Sequence, residues 1–255
     1  MKTINEHTEN YKYHPLNMDN EKDSCAICNN HICLIKQNID SPVIARFSKI
    51  KNTIRCKKGQ QFIIEGAPVN GLFFILSGSV KVFRTGINGK EQIVRFAKTG
   101  EIIGHRGFGS QEQYPIGAIA LLDTTLCYFS KGELQEVLRS DASFAYDFML
   151  FYANELNKSE AKVKSLSQMT VRERVIDTLL YVQRKFGQHN NGFINITLSR
   201  KEYADYAGTT EEQVIRVFSS LKKENLIVAK GKKIGIPDIS LLKKEIADHN
   251  FFLDS

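Results

Sequence analysis

Three thiols crowd into the stretch SCAICNNHICL, where Cys25, Cys28 and Cys33 are separated by two and four residues. Thiolates at such spacing are ligands for zinc or for an iron–sulfur centre, and both usually want four. In a reducing compartment, clustered cysteines point to metal or redox chemistry rather than to a structural disulfide. His31, Cys56 and Cys127 are the candidates for a fourth ligand, and spacing alone does not separate zinc from iron–sulfur. A second chemically capable pair, Glu212 and Arg216, stands one helical turn apart near the other end of the chain. A guanidinium donates two hydrogen bonds to guanine O6 and N7, and a carboxylate accepts from cytosine N4, so the pair suits a G·C-containing step. On an ordinary solvated helix the same spacing is only an i,i+4 ion pair.

The elements around that pair decide between the two readings. In LSRKEYADYAGTTEEQVIRVFSSLKKENL, Ser199 and Glu202 have the spacing of a capping box, and Gly208 supplies a residue that leaves the first helix with positive φ. Thr209 or Thr210 caps a second helix, in which Val214, Val217, Phe218 and Leu221 make an inward stripe and Glu212, Gln213, Arg216 and Ser220 lie off it. Upstream, Thr170 caps an amphipathic helix, VRERVIDTLLYVQRKFG, and GFINITL reads as a short alternating strand. Downstream, LIVAKGKKIGIPD is a hairpin with Gly231 near its tip. Helix, strand, two helices and a basic hairpin make a winged helix-turn-helix. The predicted contacts to double-stranded DNA are Ser199, Thr210, Glu212, Gln213 and Arg216, with Lys230, Lys232 and Lys233 on backbone phosphates.

Charge agrees. The 255 residues carry a formal charge of +7, and between Val171 and Lys233 there are twelve Lys and Arg against seven Asp and Glu. No apolar run approaches the roughly 20 residues that span a bilayer, and the polar start lacks the apolar core of a signal peptide, so a cytoplasmic protein with no membrane partner is expected. Residues 1–24 are polar and aperiodic, which predicts a flexible tail.

Between Ile54 and Phe129 the texture changes to short β-branched and aromatic runs punctuated by glycine, the pattern of a closed or sandwiched β-roll. Asn70-Gly71 and Asn88-Gly89 are tight-turn signals, the second between two alternating strands. A β-roll enzyme would need a cluster of His and carboxylate ligands; this segment has one histidine, His105, and no catalytic set, so no enzyme is expected. Ser130 then starts a helical section. A longer helix from about Asp141 to Met169 carries Phe144, Phe148, Phe151, Ser159, Val163 and Leu166 at three- to four-residue intervals, with a weaker step near Glu155. That stripe either packs on its own β-roll or, as predicted for a bihelical reader working as a symmetric pair, meets a second subunit in a homodimer on a palindromic site.

The fold class is therefore α+β. A flexible tail (1–24) precedes a cysteine segment and sensory β-roll of the double-stranded β-helix type (25–130). A connector and dimerisation helix (131–169), a winged helix-turn-helix (170–238) and a final helix with its tail (239–255) follow. This order, with the motifs GQQFIIEG, LFFILSGSVKVF, TGEIIG and TTEEQVIRVFSSLKKENLI, resembles the CRP/FNR family of bacterial transcription regulators over about residues 25–237. Within it the likeness is to the oxygen-sensing FNR branch. The resemblance implies that Cys25, Cys28, Cys33 and Cys127 are ligands of a [4Fe–4S] cluster, although the last gap among the first three is four residues where that branch typically has five. It also implies RNA polymerase as a second partner, and Glu212 and Arg216 match the family's base-reading residues. Ile215 stands where the FNR branch commonly has serine. The cyclic-nucleotide branch carries a phosphate-binding arginine after its Gly-Glu motif; here Gly100-Glu101 is followed by YPIGAIA without one, which argues against cAMP. Without the cluster, the same regulator would sense haem, nitric oxide or another small ligand, or carry structural zinc.

Overall fold

In a computed structural model, residues 25–108 and 112–252 are described; the tail predicted over 1–24 lies outside the described residues. The β-branched and aromatic runs form eight strands: β1 (Asn52–Cys56), β2 (Gln61–Ile63), β3 (Gly71–Ser77), β4 (Ser79–Thr85), β5 (Glu91–Lys98), β6 (Ile102–Ile103), β7 (Gly117–Ala120) and β8 (Thr124–Ser130). They pair antiparallel into two four-stranded sheets, ordered β1-β8-β3-β6 and β2-β7-β4-β5. Alternate residues of both sheets, among them Ile63, Phe73, Ile75, Val80, Val82 and Leu126, meet in one apolar core.

Asn88 and Gly89 both take positive φ, 59° and 73°, and turn β4 into β5 as the sequence predicts. Asn70-Gly71 does not form the expected tight turn. Gly71 is the first residue of β3, and a Cβ there would stand 2.2 Å from the Phe129 carbonyl oxygen and 2.4 Å from the Tyr128 ring, so its lack of a side chain serves close packing.

Ahead of the roll, two short helices, α1 (Leu34–Gln37) and α2 (Pro42–Ser48), carry the cysteine segment onto the sheet that contains β3 and β8. Behind it, a Ser130–Glu133 capping box starts α3 (Lys131–Ser140), and Asp141 caps α4 (Ala142–Gln168), a helix of 27 residues. No helix among the described residues is long and apolar enough to cross a membrane. The face of α4 differs from the expected stripe. Phe144 and Phe148 are buried in their own chain with Phe47, Phe74, Phe129 and Leu134, so these two are not available to a second subunit, and Phe151 is half-buried against them. The first half of α4 lies along the roll's own sheet, and its largest rings are spent there. Tyr146, Met149, Leu150, Leu156, Val163 and Leu166 are the large apolar residues of α4 left exposed. Of the predicted contacts, Val163 and Leu166 remain exposed and Ser159 is half-buried, its hydroxyl donating to the Glu155 carbonyl oxygen at 2.9 Å.

The last part is built as its sequence suggests. A Thr170–Glu173 capping box starts α5 (Val171–Phe186), which Gly187 ends at φ 75°. Then come α6 (Arg200–Ala207), α7 (Glu211–Lys223), the two-stranded wing of β9 (Val228–Lys230) and β10 (Lys233–Gly235), and α8 (Ile239–Lys244). GFINITL makes only isolated bridges, Gln188 with Ile194 and Phe193 with Gly235, rather than a ladder. Leu242 and Ile246 are buried in the winged core, so the closing helix belongs to that unit.

Candidate functional site

The loop from Cys25 to Cys33 lies over β3 and β8. Asn30 Nδ2 donates to the Ile75 carbonyl oxygen at 3.3 Å, Cys33 N to the Asn30 carbonyl oxygen at 3.1 Å, and Lys36 Nζ to the Ala26 carbonyl oxygen at 2.5 Å. Cys127 stands in the middle of β8, opposite Thr53 on one side and Phe74 on the other. Together Cys25, Cys28, Cys33 and Cys127 line one cavity of about 240 Å³, with Lys36 and Lys51 at its wall. Of the three candidates for a fourth ligand, only Cys127 lines it. His31 is exposed, and Cys56 is buried in the core between the sheets. Burial pushes the Cys25 and Cys33 thiols up and takes Cys127 to about 12, with Lys51 opposing the shift at Cys25 and Cys127. Among the described residues, no three Cys, His, Asp or Glu side chains converge as ligands of a single metal ion; the four thiols share a space rather than a point.

The second site is the bihelical unit. Ser199 spends its hydroxyl on the predicted capping box: it accepts from Glu202 N at 3.1 Å and donates to Glu202 Oε2 at 3.0 Å. Gly208, at φ 66° and ψ 47°, ends α6 in the left-handed region, and Thr210 rather than Thr209 caps α7. Val214, Phe218 and Leu221 are buried and Val217 is half-buried, which leaves Glu212, Gln213, Ile215 and Arg216 on the exposed face. Glu212 is held below the ordinary carboxylate range by its own backbone N–H, then by the Thr210 hydroxyl and by Arg216. The Thr209 hydroxyl bonds the side-chain oxygen of Gln213. In the wing, Gly231 at φ 60° makes the turn, and Lys230 and Lys233 are exposed directly opposite each other, with Lys232 between them in sequence. Like charges directly opposite each other repel.

Residues 53–141 match the cyclic nucleotide-binding domain family, and residues 173–245 the Crp-like helix-turn-helix domain family. The chain is 30% identical over 186 residues to the transcriptional activator protein anr of Pseudomonas aeruginosa, covering 71% of this chain and 75% of that one. It is also 30% identical over 186 residues to electron transport regulator A of Shewanella oneidensis, covering 71% and 73%. The chain belongs to the CRP/FNR family. It is a DNA-binding transcription regulator of that type, not an enzyme. The solved structure of FixK2 from Bradyrhizobium japonicum has the same fold, with a TM-score of 0.68, 23% identity, and 76% of this chain and 96% of that one covered.

Two groups in this CRP/FNR-family chain escape sequence reasoning because their members are far apart in the chain. Arg95 of β5 is buried and reaches Glu155 of α4 at 2.6 Å and Glu101 at 3.0 Å. Burial would lower its pKa, but the two carboxylates outweigh it. Burial would raise Glu155, yet Arg95, His105 and Lys158 bring it down to about 2. His105, edge-on to Phe151 at 4.8 Å, is pushed down to about 3 by burial and then by Arg95, so it is a neutral packing residue. Arg200 is the second omission. Its guanidinium lies over the Phe218 ring at 4.7 Å and donates to the Gly231 carbonyl oxygen at 3.2 Å, which ties the wing's tip to the helix pair. A cation at the start of α6 was the sequence signal available for it.

Proposed function

We propose that this regulator acts in the cytoplasm as a homodimer on a palindromic site, and that Cys25, Cys28, Cys33 and Cys127 hold a [4Fe–4S] cluster that makes it responsive to oxygen or another redox signal. The observation that carries this reading is selective. Of the five cysteines, the four that line one cavity are the four that match the FNR-branch ligands, and Cys56 is not among them. Thiols spread around a cavity suit a group several ångströms across better than one zinc ion, whose four ligands must meet at about 2.3 Å. When bound, the cluster supplies an oxygen-labile link between the loop and β8. Within the chain, Asn30 and Lys36 keep the loop in register over β3, and Lys51 offsets the negative charge that four thiolates bring. A cyclic nucleotide is not the proposed effector, because Tyr114–Ala120 offers no cation.

For pairing, the exposed face of α4 supports a parallel helix contact. Tyr146, Met149, Ala153, Leu156, Glu160 and Val163 are exposed at alternating steps of three and four, a heptad seam on the side away from the buried phenylalanines. Such a pair sets two readers about one DNA turn apart. In each, Glu212 and Arg216 read the G·C step, Ile215 touches a neighbouring thymine methyl, and the wing lysines neutralise phosphates. RNA polymerase as the second partner follows from the family resemblance.

Iron and acid-labile sulfide in protein purified without air test the cluster. Wild type and Cys56→Ser should carry both, and Cys127→Ser should lose most of each. A colourless wild type that still binds its operator, stoichiometric zinc in place of iron, or equal loss in Cys56→Ser defeats the proposal.

A further inference from the structure

A second cavity, of about 300 Å³, lies where the β-roll, the long helix and the winged unit meet. Its walls come from β5, α4 and α5 with Glu101 and Arg106 on either side of β6 and Tyr206 of α6, and it shares no lining residue with the cysteine cavity. No residue of the Tyr114–Ala120 stretch lines it either, so it lies apart from the position where the cyclic-nucleotide branch holds its phosphate. Seven Lys and Arg side chains line it against three acids, Glu101, Glu155 and Asp177.

The acids are largely committed. Glu101 takes Arg95 and Lys185, and Glu155 takes Arg95 and Lys158. Lys162 is left with its ammonium nitrogen out of solvent and without a hydrogen-bond partner among the described residues, 3.9 Å from the centre of the Tyr206 ring. Burial takes it down to about 8, against the pull of Asp177. The Tyr206 face offsets part of the cost of burying this charge, but no hydrogen-bond acceptor among the described residues takes it. Tyr206 and Tyr181, stacked at 4.7 Å with their rings 4° from parallel, close the apolar side of the space. Surplus positive charge, an orphan ammonium and an aromatic wall are complementary to a compact, multiply charged oxyanion.

We propose that this junction cavity binds a small phosphate-bearing metabolite, with Lys162 and Lys98 as its charge partners. The two halves already touch here: Gln92 Nε2 donates to the Asp205 carbonyl oxygen, Phe96 N donates to the Tyr181 hydroxyl at 3.3 Å, and Lys185 pairs with Glu101. A ligand gripped by β5 and α4 on one side and α5 on the other stabilises this docked arrangement over any in which the halves separate. The site is thus an input to the DNA reader independent of the thiols.

Pyrophosphate is the probe, titrated calorimetrically into the full chain in phosphate-free buffer. Wild type should bind one equivalent; Lys162→Met and Lys98→Ala should each weaken it about tenfold or more, and Lys49→Ala, exposed at the end of α2, should leave it unchanged. Thermal melting checks that Lys162→Met folds; if it does not, Lys98→Ala decides alone. No saturable binding to wild type overturns the proposal. So does undiminished affinity in the folded cavity variants, or equal weakening by Lys49→Ala.

Discussion

The two faces of α4 do different work with similar residues. The inner face places Phe144 and Phe148 in the core that also holds Cys25 and Cys127, and Glu155 in the Arg95 ion pair. The outer face leaves Met149, Leu156 and Val163 in solvent at 57%, 59% and 66% exposure. Inner residues therefore set the stability of one chain, and outer ones are, on the proposed reading, what a second chain would meet. The same division runs through α7, where Val214 and Leu221 are fully buried while Arg216 projects outward.

The sharpest way to break this comparison is to swap its sides. Phe148→Ala should cost about 3–5 kcal/mol in urea denaturation through the cavity it leaves. It should not alter dimer dissociation measured by ultracentrifugation. Leu156→Asp should do the reverse, shifting the protein to monomer with little loss of protomer stability. If Phe148→Ala dissociates the dimer while Leu156→Asp does not, the assignment of faces is inverted.

Acid tests the inner face again. His105 titrates at about 3 in the folded chain against 6.5 normally, and Glu155 at about 2 against 4.5. Both folded values lie below the unfolded ones, so on acidification the unfolded chain takes up these protons first. Stability is then lost as pH falls from about 6.5 toward 3 for His105, and from about 4.5 toward 2 for Glu155, at up to about 1.4 kcal/mol per pH unit for each group. Urea midpoints at pH 7 and pH 5 should differ in wild type and differ much less in His105→Asn. An unchanged difference in the variant would assign the acid sensitivity to other groups.

On the outer face of α7, Arg216→Ala should weaken operator binding by about 1–3 kcal/mol with no change in melting temperature. Equal affinity of wild type for operator and random DNA would remove sequence-specific readout altogether.

The parts legible in the sequence are those whose cause is local. Ser199 with Glu202 and Thr170 with Glu173 are capping boxes because both partners lie within four residues, and Asn88-Gly89 turns because its backbone preference is its own. Periodicity found α4 but not which neighbour each face meets, since Phe144 and Tyr146 are both aromatic and only the tertiary fold buries one and exposes the other. Asn70-Gly71 carries a turn signal that close packing against Tyr128 overrides. Arg95 with Glu155, and Arg200 with Gly231, are 60 and 31 residues apart, and no short pattern marks them. Cys127 is the intermediate case: nothing near it says ligand, and only resemblance singled it out before the fold set it beside the other three thiols.

The amino-terminal segment does more than present its sulfurs. Asn38 Nδ2 donates to Asp147 at 2.9 Å, and the Ser41 hydroxyl donates to Asp141, the residue that caps α4. It therefore acts as a splint on the opening turns of the long helix. On the proposed reading, loss of the cluster would fray that end, next to where the outward seam begins, and would reach a second chain without crossing the β-roll.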